Sequence, residues 1–319
     1  MNLIEFGDCR DTMRRWAEQG MKAQMCVTSP PYFGLRDYGH EGHIGLEQTP
    51  EQYIAAMVEV FRCVRDVLAD DGTLWLNIGD SYANGGRKTR DGDDKLAQRG
   101  MDTRPADPAG IKPKDLIGIP WMLAFALRAD GWYLRSDLVW AKGNPMPESV
   151  MDRPTRSHEY IFLLTKRERY FYDHEAVKEP AVSDHPSGNG FKRDARQSFQ
   201  NADGTARGNE MQWKDVGGKR NRRSVWHVNA KPYKGAHFAT FPPALIEPCI
   251  LAGSRPGDIV LDPFMGSGTT AAVAIEHGRQ YLGCELNPEY GALQAERING
   301  AAEAAAEAAA QPDLFERAA

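Results

Sequence analysis

Apolar positions along the chain follow two periodicities, one typical of buried strands and the other of amphipathic helices. Short apolar runs lie at 2–7, 23–27, 73–79, 132–142, 258–262 and 280–286. Stretches with helical spacing lie at 9–20, 49–72, 119–131, 242–253 and 269–278. Strands that alternate with helices in this way predict an α/β fold with a mostly parallel sheet covered by helices.

The clearest helix is predicted to begin at Pro50. Thr49 has a side chain suited to an N-cap, proline suits the first helical position, and apolar residues then recur every three or four positions. The pattern continues through Leu68, and Asp71 and Gly72 are predicted to end the helix. A buried strand is expected directly after it.

Two long polar stretches interrupt the alternation. Residues 83–110 are rich in Gly and Asp, and residues 183–224 are basic but contain Phe191, Phe199 and Trp213. Loops of this length in a compact domain are usually functional or disordered. We expect the first stretch to be a mobile loop.

The composition is that of an ordinary globular protein, with 41% hydrophobic and 26% charged residues in 319. No stretch reaches the roughly 18 consecutive apolar residues of a membrane span, and residues 1–8 lack the features of a signal peptide. The five cysteines show neither a CxxC pair nor zinc-ligand spacing with histidine, and Cys249 is expected to pack inside a helix. We expect a soluble, cytoplasmic protein with free thiols, no metal and no membrane contact.

Charge is distributed unevenly along the chain. The net charge is −5, but residues 192–234 carry eleven Lys and Arg against four acids, a net +7, so the remainder carries −12. A local basic surface on an acidic body suits the binding of phosphates.

The segment TSPPY, residues 28–32, ends the second predicted strand with tandem prolines. Proline cannot donate to a sheet ladder and fixes its own backbone angle, so Pro30 and Pro31 predict a stiff turn. Two aromatic residues, Tyr32 and Phe33, follow this turn.

A glycine loop follows the predicted strand at 258–262. Gly266, Gly268 and Ala271 form the pattern GxGxxA between a strand and a helix, which is typical of dinucleotide-binding folds. Glu285 ends the next strand, where an acid commonly binds ribose hydroxyls. The pattern therefore predicts a cofactor that contains a nucleoside.

Two features favour S-adenosylmethionine over NAD as that cofactor. NAD-binding folds carry the glycine loop at the first strand–helix turn, whereas here it follows most of the predicted sheet. Asp262, directly before the loop, would repel a pyrophosphate but suits the ammonium of a methionine moiety.

Together, TSPPY at 28–32 and DPFMGSGTT at 262–270 resemble the β-class DNA amino-methyltransferases, in which the catalytic motif precedes the cofactor motif. Further segments similar to the family are GDC at 7–9, LVWAKGNPMPES at 138–149, RSHEYIFLLTK at 156–166 and HFATFP at 237–242. The resemblance covers most of the chain. It implies a Rossmann-like, mostly parallel sheet of the S-adenosylmethionine-dependent methyltransferase type, with an inserted target-recognition region.

The resemblance also implies a division of the chain. Residues 1–170 would form the catalytic half of the methyltransferase domain, including the mobile loop 83–110. Residues 236–300 would form its cofactor-binding half, with the target-recognition insert at 171–235 and an alanine-rich tail at 301–319.

By their match to the family motifs, residues of this chain acquire expected roles. Glu285 would bind the ribose hydroxyls and Asp8 the adenine amino group. The catalytic residues would be Ser29, Pro30, Pro31 and Tyr32. The other cofactor-binding residues would be Thr28, His237, Thr240, Phe241, Pro242, Asp262, Phe264, Gly266, Ser267, Gly268, Thr269 and Thr270.

The implied reaction is methylation of an exocyclic amine, whose lone pair is delocalised into the base. The Ser29 hydroxyl and the Pro30 carbonyl would accept its N–H bonds and pull the nitrogen towards a tetrahedral geometry. The base would leave the duplex and stack on Tyr32, while Phe33 is expected to pack. Adenine N6 enzymes of the family usually carry Asp at the position of Ser29, so cytosine N4 is the favoured target and adenine N6 the alternative.

Double-stranded DNA is the expected partner, recognised through the basic segment. The candidate contacts to phosphates or guanine are Lys192, Arg193, Arg196, Lys219, Arg220, Arg222 and Arg223. The loop 83–110, with Arg87, Lys88 and Arg90, could close over the flipped base.

Two further partners are considered. QPDLF, Gln311 to Phe315, resembles the peptide by which bacterial proteins dock on the sliding clamp, with an inert tail as the alternative. A homodimer is a second possibility.

Two other classes of protein stay open. An NAD-dependent oxidoreductase would use the GxGxxA loop but leaves TSPPY and the basic segment unexplained. A catalytically silent DNA-binding module would keep the fold and bind without transfer.

Overall fold

A computed structural model describes residues 1–34, 42–83, 110–181, 218–230 and 241–310, except for the side chain at position 309. The strands are β1 (Asn2–Phe6), β2 (Ala23–Thr28), β3 (Leu68–Ile78), β4 (Tyr133–Ala141), β5 (His158–Thr165), β6 (Glu179–Pro180), β7 (Lys219–Arg220), β8 (Val225–His227), β9 (Ile259–Asp262) and β10 (Gln280–Glu285). The helices are α1 (Cys9–Glu18), α2 (Pro50–Val67), α3 (Ile119–Ala129), α4 (Pro243–Gly253), α5 (Thr269–Glu276) and α6 (Gly291–Ala310).

Eight strands form one sheet in the order β1-β10-β9-β2-β3-β5-β4-β8. Strand β5 runs antiparallel to its neighbours β3 and β4, whereas the other pairs in this sheet are parallel. Helix α2 packs on α1 and on α3, and helix α5 packs on α4 and on α6. The predicted α/β architecture, a Rossmann-like sheet of the methyltransferase type, is confirmed.

The strand order changes direction between β2 and β9. Met25 pairs with Val260 and Cys26 with Leu261, while the chain continues from β2 towards β3 and from β9 towards β10. In open parallel sheets, ligands bind at the carboxyl ends of the strands beside such a switch point. TSPPY follows β2 and the glycine loop follows β9, so the two motifs meet at this point.

The core is built from large apolar side chains on the sheet and on the packed helices. Trp16 of α1, Tyr53 and Phe61 of α2 and Trp75 of β3 are almost completely buried. Phe33 and Cys249 are also buried, which confirms that both residues pack. None of the helices in the described ranges has the length and apolar character needed to span a membrane.

Helix α2 begins as predicted but ends earlier. The Thr49 hydroxyl accepts a hydrogen bond from Gln52 N at 3.3 Å, which confirms the N-cap. The helix ends at Val67, because Leu68 adopts an extended conformation and pairs with Ala23 as the first residue of β3. The predicted end at Asp71 and Gly72 is therefore wrong: strand pairing overrides the helical spacing there.

The chain divides into two compact units, one comprising Met1–Asp173 with Ser224–Ala319 and the other His174–Arg223. The larger unit contains the whole eight-stranded sheet, which takes strands from both ends of the sequence. In the smaller unit, the described residues form the antiparallel pair of β6 and β7.

Candidate active site

Asp262 connects the two sequence motifs. The Thr28 hydroxyl donates to Asp262 Oδ1 and the Thr270 hydroxyl to Oδ2, each at 2.6 Å, and Phe264 N donates to Oδ1 at 3.0 Å. The Asp262 side chain is buried, and this burial raises its pKa to about 6, although the three donors oppose the shift. Segments that are 234 residues apart in sequence are thus joined by one hydrogen bond.

The glycine loop has the backbone conformation that the sequence requires. Gly266 and Gly268 have φ values of +53° and +83°, in the left-handed region that favours glycine. Gly266 N donates to Glu285 Oε2 at 2.7 Å, and Asn287 N donates to Oε1 at 2.9 Å. These bonds fix the carboxylate of Glu285 beside the loop.

Two side chains of helix α6 donate hydrogen bonds to the glycine loop. Gln294 Nε2 donates to the Gly266 carbonyl at 2.8 Å. Arg297 Nη1 donates to the Ser267 hydroxyl at 2.8 Å and to the Thr269 hydroxyl. Neither residue was predicted from the sequence, although their spacing of three places them on one face of a helix.

Asp8 lies at the carboxyl end of β1, next to the strand that carries Glu285. Gly7 N donates to the Glu285 carbonyl at 2.8 Å. The Asp8 carboxylate caps α1 by accepting Arg10 N at 2.7 Å, and it also pairs with the Arg10 guanidinium, which lowers the pKa of Asp8. Asp8, Glu285 and the glycine loop therefore all lie at the carboxyl ends of neighbouring strands, β1, β10 and β9.

The tandem-proline turn is held by helix α2. The Tyr53 hydroxyl donates to the Pro31 carbonyl at 2.8 Å, and the Tyr53 ring packs against Phe33 with centroids 5.6 Å apart. Pro30 is buried and Ser29 is half-buried. The stiffness predicted from the prolines is thus reinforced by a tyrosine that the sequence did not single out.

The Tyr32 hydroxyl enters a group of polar side chains, here called the Tyr32 cluster, that comprises Tyr32, Asn77, Lys142 and Glu159. Tyr32 OH donates to Glu159 Oε2 at 2.6 Å, Asn77 Nδ2 donates to the same oxygen at 3.3 Å, and Lys142 pairs with Oε1. The Ser29 hydroxyl lies 3.4 Å from Tyr32 OH. Burial and the Glu159 carboxylate raise the pKa of Tyr32 well above its ordinary value.

The other three members of the Tyr32 cluster were not predicted from the sequence. Asn77, Lys142 and Glu159 come from β3, from the residue after β4 and from the start of β5. The available signal was positional: Lys142 and Glu159 lie in segments that resemble the family, but nothing in their spacing connects them to Tyr32.

The segment HFATFP is described in part. Phe241 is half-buried, and the Pro242 carbonyl accepts Leu245 N at 2.9 Å where α4 begins. Helix α4 packs on β2 and α5, the elements beside the two motifs. His237 and Thr240 lie outside the described residues.

The described part of the predicted DNA-binding set lies in the smaller unit. Arg220 Nε and Arg223 Nε lie 2.9 and 2.7 Å from Glu179 Oε1, and Lys219 is exposed. Glu179 therefore holds two of the candidate cations side by side. The other predicted residues outside the described ranges are Lys192, Arg193, Arg196, the loop cations Arg87, Lys88 and Arg90, and Gln311 to Phe315.

Comparisons with known proteins identify relatives of this chain. The chain is 53% identical over 294 residues to the type II methyltransferase M.XycI of Xanthomonas campestris pv. cyanopsidis, covering 92% of this chain and 86% of that protein. It is 54% identical over 298 residues to the type II methyltransferase M.SmaI of Serratia marcescens, covering 92% and 90%.

Solved structures show the same fold at lower sequence identity. The PvuII DNA methyltransferase (cytosine-N4-specific) has a TM-score of 0.60 at 17% identity, covering 95% of this chain and 92% of that one. TTHA0409 of Thermus thermophilus, a putative DNA modification methylase solved with S-adenosyl-L-methionine, has a TM-score of 0.58 at 23% identity, covering 95% of each chain. The N6_N4_Mtase family model, described as DNA methylase, matches residues 23–296. The chain therefore belongs to this family of DNA methylases.

Proposed function

We propose that this DNA methylase uses S-adenosylmethionine to methylate the exocyclic N4 amine of a cytosine that is flipped out of double-stranded DNA. The observation that carries the proposal is the hydrogen bond between Thr28 and Asp262. It joins the turn that bears Ser29 to the loop expected to hold the cofactor. The methyl group of the cofactor and the amine that accepts it would then lie next to each other, at the carboxyl ends of β2 and β9.

The residues at the glycine loop fit this cofactor. Glu285, fixed by two backbone N–H groups, offers a carboxylate for ribose hydroxyls. The negative charge of Asp262, buried directly before the loop, would favour an ammonium group beside it. A Cβ built at Gly266 would lie 3.9 Å from its nearest neighbour, the Phe264 carbonyl oxygen, so the loop leaves open space beside it. Bound S-adenosylmethionine would supply an electrophilic methyl group.

The chain's own residues would make the amine nucleophilic. Ser29 is half-buried in a turn fixed by two prolines and by Tyr53, so its hydroxyl is held in one place. Together with the Pro30 carbonyl, it would accept the amine N–H bonds and favour a tetrahedral nitrogen. No covalent enzyme–base intermediate is required by this arrangement.

The choice of cytosine N4 rests on Ser29, since adenine N6 enzymes of the family usually carry Asp there. The PvuII enzyme, whose fold the chain shares, is described as cytosine-N4-specific. Contacts to the duplex are proposed for the insert 171–235, including Lys219, Arg220, Arg222 and Arg223. Glu179, paired with two of these residues, would fix their guanidinium groups for phosphate or guanine.

The test uses S-adenosylmethionine with a labelled methyl group and duplex DNA of mixed sequence. The DNA is digested to nucleosides and analysed by mass spectrometry, with NAD binding measured in parallel. Labelled N4-methylcytosine is the expected product, whereas N6-methyladenine would overturn the choice of base. Cofactor binding without transfer would indicate a silent DNA-binding module, and binding of NAD alone would indicate an oxidoreductase.

A further inference from the structure

The Tyr32 cluster lies at the edge of the sheet that is formed by the carboxyl ends of β2, β3 and β4 and by the amino end of β5. Tyr32 follows β2, Asn77 is near the end of β3, Lys142 follows β4, and Glu159 is near the start of the antiparallel β5. Because β5 runs in the opposite direction, its first residues reach the edge at which the other three strands end. A carboxylate is thereby presented to the catalytic turn from a separate part of the chain.

The ring of Tyr32 is confined at two points. Its hydroxyl donates to Glu159 Oε2 at 2.6 Å, a length typical of a hydrogen bond to an ionised acceptor. A Cβ built at Gly79 would lie 2.7 Å from Tyr32 Cε2, so the ring edge lies directly against the backbone of that glycine. Ring and hydroxyl are therefore both fixed by residues outside the turn.

Lys142 pairs with one oxygen of the Glu159 carboxylate, and the other oxygen accepts the hydrogen bond from Tyr32. The side chains of Lys142 and Glu159 are 21% and 15% exposed, and the ammonium pairs with Oε1. The other oxygen, Oε2, is left to accept from Tyr32 and Asn77. Lys142 Nζ also lies 4.3 Å from the centroid of the Trp140 ring, which holds the cation in place.

We propose that Glu159 is a positioning residue that sets the plane of the Tyr32 ring for the flipped base, with Lys142 as its counter-ion. The inference rests on the proposed function, since it assumes that the base stacks on Tyr32. A ring fixed before DNA binds presents its face without a further loss of conformational freedom, and so favours the reacting geometry.

The test is a double-mutant cycle with Tyr32→Phe, Glu159→Ala and the double variant, measured as kcat for methyl transfer to DNA. Tyr32→Phe keeps the ring but removes the hydroxyl, and Glu159→Ala removes its acceptor. We expect each single variant to lose about tenfold or more in kcat. The double variant is expected to be no slower than the slower single variant, because both changes break the same bond.

A second readout follows the base itself. With 2-aminopurine at the target position of the DNA, stacking on Tyr32 quenches its fluorescence, so Glu159→Ala is expected to give a brighter complex than the wild type. The Kd for S-adenosylmethionine is expected to change by less than about twofold, because the contacts of the glycine loop are untouched. If Glu159→Ala does not fold, Glu159→Gln replaces it, and we expect Gln to lose less activity because its amide oxygen can still accept from Tyr32.

Asp130→Asn is the matched control, since Asp130 is 14% exposed and pairs with Arg62 at the opposite end of α3 from the site. It is expected to keep wild-type kcat and fluorescence. The positioning role would be overturned by a double variant whose loss in kcat is the product of the losses in Tyr32→Phe and Glu159→Ala. Wild-type activity in the Glu159 variants would overturn it as well. Absence of transfer by the wild type would instead overturn the proposed function.

Discussion

Thr28 and Asp262 share a buried hydrogen bond of 2.6 Å between the last residue of β2 and the last residue of β9. The two strands are neighbours in the sheet, and each leads into one of the two motifs. The acceptor carboxylate is completely surrounded by protein and receives two further donors. This one contact connects the stability of the fold with the relative placement of the two motifs.

Thr28→Val is expected to lower the free energy of unfolding by about 1–3 kcal/mol at pH 7, because a buried carboxylate loses one of its donors. Urea unfolding measures the change. Thr165→Val is the matched control: its hydroxyl donates at 2.8 Å to the neutral carbonyl of Arg167, so we expect a smaller loss. If Thr28→Val and Thr165→Val lost the same free energy of unfolding, removing a donor from the buried carboxylate of Asp262 would cost no more than removing one from a neutral carbonyl.

Asp262→Asn is expected to change how stability depends on pH. Burial raises the pKa of Asp262 from 3.8 to about 6, so the protonated form favours folding. This contribution is complete below pH 3.8 and is lost as the pH rises through about 6. Its size is about 3 kcal/mol, from roughly 1.4 kcal/mol for each unit of pKa shift.

Unfolding measured from pH 4 to pH 7 checks this dependence. As the pH rises across this window, the free energy of unfolding of Asp262→Asn is expected to increase relative to that of the wild type. The same variant is expected to bind S-adenosylmethionine weakly at pH 7, because the negative charge proposed to favour the cofactor's ammonium is gone. A constant difference in stability across the window would show that Asp262 does not titrate there.

Ser29→Ala is expected to slow methyl transfer by about 10²–10³-fold while cofactor binding stays unchanged, because one acceptor for the amine N–H is removed. Single-turnover transfer and calorimetry separate the two effects. Ser136→Ala, which removes a hydroxyl that donates to the neighbouring Asp137 carbonyl at 3.4 Å, is the control. Transfer at the wild-type rate by Ser29→Ala would remove Ser29 from the mechanism.

Arg297→Ala is expected to weaken S-adenosylmethionine binding by about tenfold, since a charged donor to two hydroxyls of the glycine loop is lost. At saturating cofactor, kcat is expected to stay near the wild-type value, because the tandem-proline turn is untouched. Arg14→Ala, which removes an exposed pair with Asp11, controls for the loss of a surface charge. An unchanged Kd would indicate that the loop keeps its shape without Arg297.

Local signals predicted most of the fold and several of the residues that the structure brings together at the candidate site. The helix cap at Thr49, the loop at Gly266 and Gly268 and the tandem prolines all act within a few residues, so the sequence records them directly. Glu159 and Arg297 became visible only in the structure, because their partners lie on other strands and helices. The early end of α2 has the same origin, since pairing of Leu68 with Ala23 depends on a strand elsewhere in the chain.

The pairing of β2 with β9 also governs when the enzyme becomes complete during synthesis. Strand β2 is translated more than two hundred residues before β9, which is one of its two neighbours in the sheet and carries the acceptor of the Thr28 hydroxyl. A strand without this neighbour leaves its backbone N–H and C=O groups on that side unpaired. A chain truncated before β9 is therefore expected to lack methyl transfer, since it has neither Asp262 nor the glycine loop.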